Sequence, residues 1–347
     1  MNSTDSENLR IPDLSRWLKK GLIILPVGVF INLVLANFND TSEKAILQGP
    51  LNLQYLLIAL ILAFLPWFIH TIRMKNWTHC MRNRLSFGQS FKITLGMDMG
   101  AALSPTALGG GPVKAAMLIG EGLSPVHALF LTLLASLEDF LFFSGLFLYL
   151  MVWENAELKE FWSSLFINYQ WDTIFIYGLT GIFLLVLMGI FIKSNHQRFG
   201  WTKYFSRYEN FFKKLFCDLK KTTRFIQRHG KMMFLLNILL SGLQWTSKYM
   251  IVYFLLLALG IHLSPSQLFF KQMVVYVLLN FIPTPGAVAG AEAVFILIFR
   301  SILSDDMIYL VTGGWRFLTF YLQLSFSVVI FTLLHYHNFW FKRNIQA

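Results

Sequence analysis

The stretch Phe281-Ile-Pro-Thr-Pro-Gly-Ala-Val-Ala-Gly-Ala-Glu-Ala-Val-Phe-Ile-Leu-Ile-Phe-Arg300 lies deep in an apolar run, yet it carries two prolines, two glycines and a glutamate. Pro283 and Pro285 cannot continue a helix, and Gly286 and Gly290 accept backbone shapes that other residues avoid. Such a break frees N–H and C=O groups, which in hydrocarbon must be satisfied by protein, trapped water or a ligand. Two readings fit: a loop between two spanning helices with a glutamate at its edge, or a broken, re-entrant hairpin lining a polar site. A counterpart near residue 105 favours the second.

The surrounding chain is 56% hydrophobic and 14% charged. Several of its apolar runs exceed the ~20 residues that cross a bilayer. The expected fold is therefore an all-α polytopic membrane protein. Its net charge of +11 points to basic cytoplasmic loops facing anionic lipid, and no nucleic-acid-binding module is present. No small-residue cleavage site follows the first apolar run, so that run reads as an anchor rather than a signal peptide. Cys80 and Cys217 both fall in segments placed in the cytoplasm, where a structural disulfide is not expected. The chain has no His-Glu-x-x-His, Walker lysine loop or Gly-x-Ser-x-Gly, and His335 and His337 read as interfacial. No catalytic residue, metal site or cofactor is expected.

In chain order, residues 1–20 read as a cytoplasmic tail, 21–340 as the membrane domain and 341–347 as a second cytoplasmic tail. Six spans are expected near 22–38, 53–72, 125–152, 174–192, 232–260 and 307–336. Residues 71–92 hold Arg73, Lys75, Arg82, Arg84 and Lys92 without an acid, an inside signal. Residues 153–172 are acidic and read as outside. Residues 193–231 carry eleven Lys/Arg against Glu209 and Asp218. Their apolar residues fall at helical spacing, so the segment reads as a basic amphipathic helix on cytoplasmic headgroups. For these sides to be consistent, 91–120 must leave the membrane on the side it entered, and 264–303 likewise from the opposite side. Two full spans in each place satisfy the same parity.

The two broken segments also match one another. Phe91-Lys92 precedes Pro105-Thr106, and Phe270-Lys271 precedes Pro283-Thr284, with one residue of slippage. Nine residues after the first proline stands a charge in each, Lys114 and Glu292. Matched motifs entered from opposite sides are the pattern of inverted repeats in transporters, whose site lies where the broken helices meet. Three blocks carry a family resemblance: Ser104-Pro-Thr-Ala-Leu-Gly-Gly-Gly-Pro-Val-Lys114, Pro283-Thr-Pro-Gly-Ala-Val-Ala-Gly-Ala-Glu292 and Gly314-Trp315-Arg316. Over residues 15–335 the chain resembles the lysylphosphatidylglycerol synthase transmembrane region, or flippase-like domain. The resemblance implies re-entrant helices and a role in moving or handling charged or glycosylated lipids. Two departures stand out. Leu137-Glu138-Asp139 occupies the place where the family carries a Glu-Arg pair with a nearby Asp, and Ala287 and Ala289 loosen the family's Pro-Gly-Gly-x-Gly. The chain ends soon after the last span, so the aminoacyl-transferase domain of full-length synthases is expected to be absent and the protein is not expected to be an enzyme.

Ionisable groups within spans are candidates for function by default. Glu292 opens a half-helix, where the helix dipole favours negative charge. Lys114 either faces the site or snorkels to the surface. Glu138 and Asp139 lie mid-span about 100° apart on the helix, so a shared partner is not expected; Arg316 or Lys248 is a candidate for one of them. Arg316 suits a lipid phosphate or an ion pair with Glu138 or Glu292, and Lys248 reads as structural. Gly110 and Gly111 either present N–H groups to a phosphate or allow close packing, while Pro283 and Gly286 shape the second tip. Thr106 and Thr284 are expected to satisfy broken-helix backbone. The functional expectation is a lipid flippase-like transporter in a bacterial-type cell membrane, acting on lipids with anionic or glycosylated headgroups. The alternatives are a secondary transporter of a small charged solute and a non-transporting scaffold for envelope lipid or glycolipid synthesis. A second copy of the chain and a separate lipid-modifying enzyme are further candidate partners. A cysteine introduced near residue 160 should react with impermeant label from outside only; reaction from the cytoplasm would overturn the topology.

Overall fold

The structure is a computed structural model that describes residues 51–81, 83–104, 109–152, 220, 224, 230–282 and 284–345. The spans expected at 22–38 and 174–192, most of the basic segment 193–231, and Pro105, Thr106 and Pro283 lie outside the described residues. The chain divides into two units: Met1–Phe142 with Gly230–Ala347, and Phe143–His229. The first unit holds both broken segments and is entirely helical in its regular structure among the described residues, as the hydropathy requires.

The helices are α1 (Leu53–Cys80), α2 (Phe87–Leu103), α3 (Gly110–Gly120), α4 (Pro125–Val152), α5 (Lys231–Ala258), α6 (Pro265–Leu279), α7 (Gly290–Phe299), α8 (Asp305–Arg316) and α9 (Leu322–Ile345). A π-helical turn, Phe317–Tyr321, joins the last two. Among the described residues, three stretches are long and apolar enough to cross a membrane: Leu53–Cys80, Pro125–Leu146 and Met307–Leu334. Helix α5 has 28 residues but carries Asn237, Ser241, Gln244 and Lys248 among its apolar residues. The starts follow local rules. Ser86 and Gln89 form a capping box for α2, and Pro265 takes the first position of α6 after Ser264, where its missing N–H costs nothing. Helix α8 opens at Asp305, after an extended Ser304 at its N-cap.

Both broken segments are antiparallel hairpins. Helices α2 and α3 have 17 and 11 residues, and α6 and α7 have 15 and 10. At ~1.5 Å per residue the arms reach about 15–25 Å, short of the ~30 Å hydrocarbon core. In the first hairpin, a Cβ on Gly100 would meet Val113 and the Gly109 carbonyl, and one on Gly110 would lie 3.0 Å from the Met97 carbonyl. The arms approach too closely for larger residues. Gln89 Nε2 donates to Glu121 Oε2 at 2.7 Å and closes the base. In the second, Lys271 Nζ donates to the Ile298 carbonyl (3.1 Å) and Ser301 Oγ (2.9 Å) and so holds the last turn of α7. Phe295 stacks on Phe299 (centroids 4.2 Å apart) and on Trp315 (4.6 Å), anchoring α7 to α8. Trp67, Leu95, Met99, Leu324 and Phe331 hold the first hairpin against α1 and α9. Leu57, Ile61, Leu133, Phe140, Leu239 and Leu333 are exposed, as surfaces facing lipid would be.

The second break is wound through the left-handed region at Gly286 (φ 62°), Ala287 (51°) and Ala289 (66°). Its two alanines are the residues that depart from the glycine-rich family pattern. A left-handed alanine costs about 1–2 kcal/mol. Replacing Ala289 with glycine should therefore raise the thermal unfolding midpoint in detergent by the equivalent of about 1 kcal/mol; a lower midpoint would contradict this backbone.

Candidate functional site

The tips of the two hairpins meet. Asp98, Ala101 and Ala102 of the first and Asn280, Gly286 and Ala287 of the second line one cavity of about 270 Å³, completed by α5 and by the α8–α9 region. A Cβ on Gly286 would clash with the Phe320 ring and lie 3.2 Å from the Ala102 carbonyl, so glycine is required both by conformation and by contact. Thr284 Oγ1 donates to the Val288 carbonyl at 3.1 Å, satisfying broken backbone as expected. Ser104 Oγ does the same in the first break, accepting from Gly109 N–H at 2.8 Å.

Arg316 is the polar centre of the second tip. Its Nε donates to Glu292 Oε1 at 2.9 Å and its Nη2 to the Gly286 carbonyl at 3.0 Å. The guanidinium is only 4% exposed and Glu292 1%, so this is a buried pair in which the arginine also ties down a carbonyl freed by the break. Of the two expected partners, Glu292 is the one it takes. The guanidinium carbon sits 4.5 Å from the Phe320 centroid, and Arg316 lines the cavity immediately before the π-helical turn. Such turns re-aim side chains and are frequent at functional sites. Lys248, expected to be structural, lines the same cavity, its ammonium 4.9 Å from the Trp245 ring centroid. Asp98 lies opposite in sign within the cavity and accepts from the Trp67 indole N–H.

Glu138 and Asp139 belong to a second cluster. Arg73 Nη2 donates to Glu138 Oε2 and to Asp139 Oδ1, each at 2.8 Å, and Nη1 donates to Gln244 Oε1 at 2.9 Å. Trp77 Nε1 and Asn237 Nδ2 donate to Glu138 Oε1, and Ser241 Oγ donates to Asp139. This corrects three expectations. Arg73 is not a loop residue, because α1 runs to Cys80 and not to Ile72. The partner of the acids is neither Arg316 nor Lys248. The two adjacent acids do share one partner, because the Arg73 guanidinium lies between their directions. Chemically, Arg73 supplies the cation that Leu137-Glu138-Asp139 lacks in its own helix.

Lys114 is buried (3% exposed), with its ammonium 3.2 Å from His70 Nε2; it does not snorkel, and it does not line the cavity. Gly110 serves the close packing of α3 on α2, and a Cβ on Gly111 would lie 3.5 Å from the Thr132 methyl, an ordinary contact. Pro283 lies outside the described residues. Sequence reasoning missed Asp98, His70 and Arg73 as site residues. The signals were available: an acid in the apolar run Gly96–Gly100, and no Gly or Pro between Pro66 and Gly88 to end the helix before Arg73.

Short paired hairpins whose tips enclose a charged cavity, flanked by membrane-length apolar helices, define a helical membrane protein with an internal polar site. The chain belongs to the family described as lysylphosphatidylglycerol synthase TM region, which matches residues 21–326. It is also similar to a UPF0104 membrane protein of Archaeoglobus fulgidus, 22% identical over 321 residues that cover 89% of this chain and 95% of that protein.

Removing one partner of a buried pair leaves an uncompensated charge, which costs about 3–5 kcal/mol. Arg73→Met should therefore lower stability in detergent by about that amount. A change below about 1 kcal/mol, the scale of exposed pairs, would contradict the buried cluster.

Proposed function

We propose that the protein moves a phosphate- or sugar-bearing lipid between the leaflets of the cell membrane, without altering it chemically. The observation that carries this reading is the cavity at the joined hairpin tips, lined by the Arg316 guanidinium and the Lys248 ammonium. Two of the Arg316 nitrogens are engaged by Glu292 and Gly286; its planar fork leaves Nη1 for a phosphate oxygen. Lys248 offers a mobile point charge, and Trp245, Tyr276, Trp315 and Phe320 give apolar walls to glycerol or sugar carbons. The volume, about 270 Å³, suits a headgroup, with the acyl chains left in lipid. Glu292 orients Arg316 through the bond to its Nε. The cationic role expected of Lys114 passes to Lys248. Family membership supports the lipid as substrate class. Alternating access follows if the two short hairpins tilt in turn to open the shared cavity to either leaflet.

Reconstitution in liposomes with fluorescent lipids of different headgroups tests this. At least one phosphate- or sugar-bearing lipid should cross faster than in protein-free liposomes. Lys248→Met and Arg316→Gln should each slow it about tenfold or more, since a hydrogen bond to a charged group contributes roughly 1.5–3 kcal/mol. No accelerated headgroup would overturn the reading.

A further inference from the structure

We propose that Asp98 selects the headgroup, by accepting a hydrogen bond from a hydroxyl or ammonium that the lipid carries beyond its phosphate. This rests on the transport reading above and concerns the far side of the same site. Asp98 is the acid of the cavity lining; Glu292 lies behind Arg316 and is spent on it. Trp67 Nε1 donates to Asp98 Oδ2, and Oδ1 receives no donor among the described residues. Neutral donors of the lining are committed elsewhere. The Thr319 and Ser327 hydroxyls and the Gln323 and Asn280 amides all donate to backbone carbonyls. A carboxylate oxygen only accepts, so its complement is a donor that arrives with the ligand.

The charges around the cavity support the same complement. Lys248 is the cation that faces Asp98. Opposite charges in a low-dielectric space attract strongly, yet among the described residues neither Asp98 nor Lys248 has an ion-pair partner. Two tryptophans from different helices keep them apart. Trp67 of α1 holds the carboxylate by its indole N–H, and the Lys248 ammonium rests over the ring of Trp245, a neighbour on α5. The gap between them is filled without moving either when a headgroup places its phosphate on Lys248 and Arg316 and a donor on Asp98. A phosphate with no donor behind it would bring a second anion into the space that Asp98 already occupies. A hydroxyl or ammonium between the two anions offsets that repulsion. Arg316 adds no surplus charge to this count, because Glu292 balances it.

Native mass spectrometry of the full-length protein in detergent tests this, with phosphatidylethanolamine, phosphatidylglycerol and phosphatidylcholine of matched acyl chains. The first carries an ammonium donor and the second hydroxyls; the third carries a phosphate and no donor. At least one of the first two should bind about tenfold or more tightly than phosphatidylcholine, as loss of a hydrogen bond to a charged group implies. Which of them does so separates ammonium from hydroxyl recognition. In Asp98→Asn the Trp67 indole still needs an acceptor, so the amide oxygen turns to it and the amide nitrogen, a donor, turns to the cavity. The preference over phosphatidylcholine should then disappear, whereas a merely structural role would change all three lipids alike. Equal binding of the three, no measurable binding, or a preference that persists in Asp98→Asn overturns the proposal. Lipid movement without this preference contradicts the proposal and leaves the transport reading standing; selective binding without movement does the reverse.

Discussion

A backbone that breaks inside hydrocarbon must find partners for the groups it frees, and the architecture follows from how this chain finds them. In the first break a serine hydroxyl receives Gly109 N–H. In the second, Thr284 donates to Val288 and Arg316 to Gly286. The breaks are therefore held by groups that also build the site. Arg316 is both the clamp on the second tip and the cation in the cavity, which is why its carboxylate partner sits at the start of α7 rather than elsewhere.

Charge in this interior is sorted into two clusters with different degrees of compensation. Around Arg73 both carboxylates have strong donors, and the tryptophan, asparagine and serine contacts fill further acceptor positions. Such a cluster fixes α1, α4 and α5 relative to one another. Around the cavity compensation is looser: Lys248 rests against an aromatic face, and Asp98 is held by an indole. Close packing of glycines within the first hairpin, and of the Phe295–Phe299–Trp315 stack behind the second, lets short arms stand in the membrane with a polar space between their tips. In lipid this packing, rather than hydrophobic exclusion, is what associates helices.

Much of this fold is legible in the sequence because punctuation in a membrane chain is costly and therefore meaningful. Ser124-Pro125 and Ser264-Pro265 mark real helix starts, and the Gly/Pro clusters near 105 and 283 mark both breaks. The third span, read as 125–152, coincides with α4 (Pro125–Val152). Arg73 misleads because the hydropathy of α1 falls after Ile72 while the helix continues, and a basic residue beyond an apolar run looks like a loop signal. The partners of Glu138, Lys114 and Lys248 are not legible at all: contacts in these clusters join helices 44 to 171 residues apart in sequence, and no spacing rule reaches across tertiary contacts. The left-handed alanines show the reverse case, where a departure from a glycine pattern marks strain rather than a change of backbone.

The central claim is that the two hairpin tips meet inside the membrane around a cavity that receives a lipid headgroup. An electron cryomicroscopy map of the protein in phosphatidylglycerol nanodiscs tests it most directly. The account predicts hairpins that return to the side they entered, with Ala102 against Gly286 and phosphate density between Lys248 and Arg316. Helices running straight through the bilayer at 91–120 and 264–303, or a cavity closed by side chains with lipid only at the periphery, would contradict it.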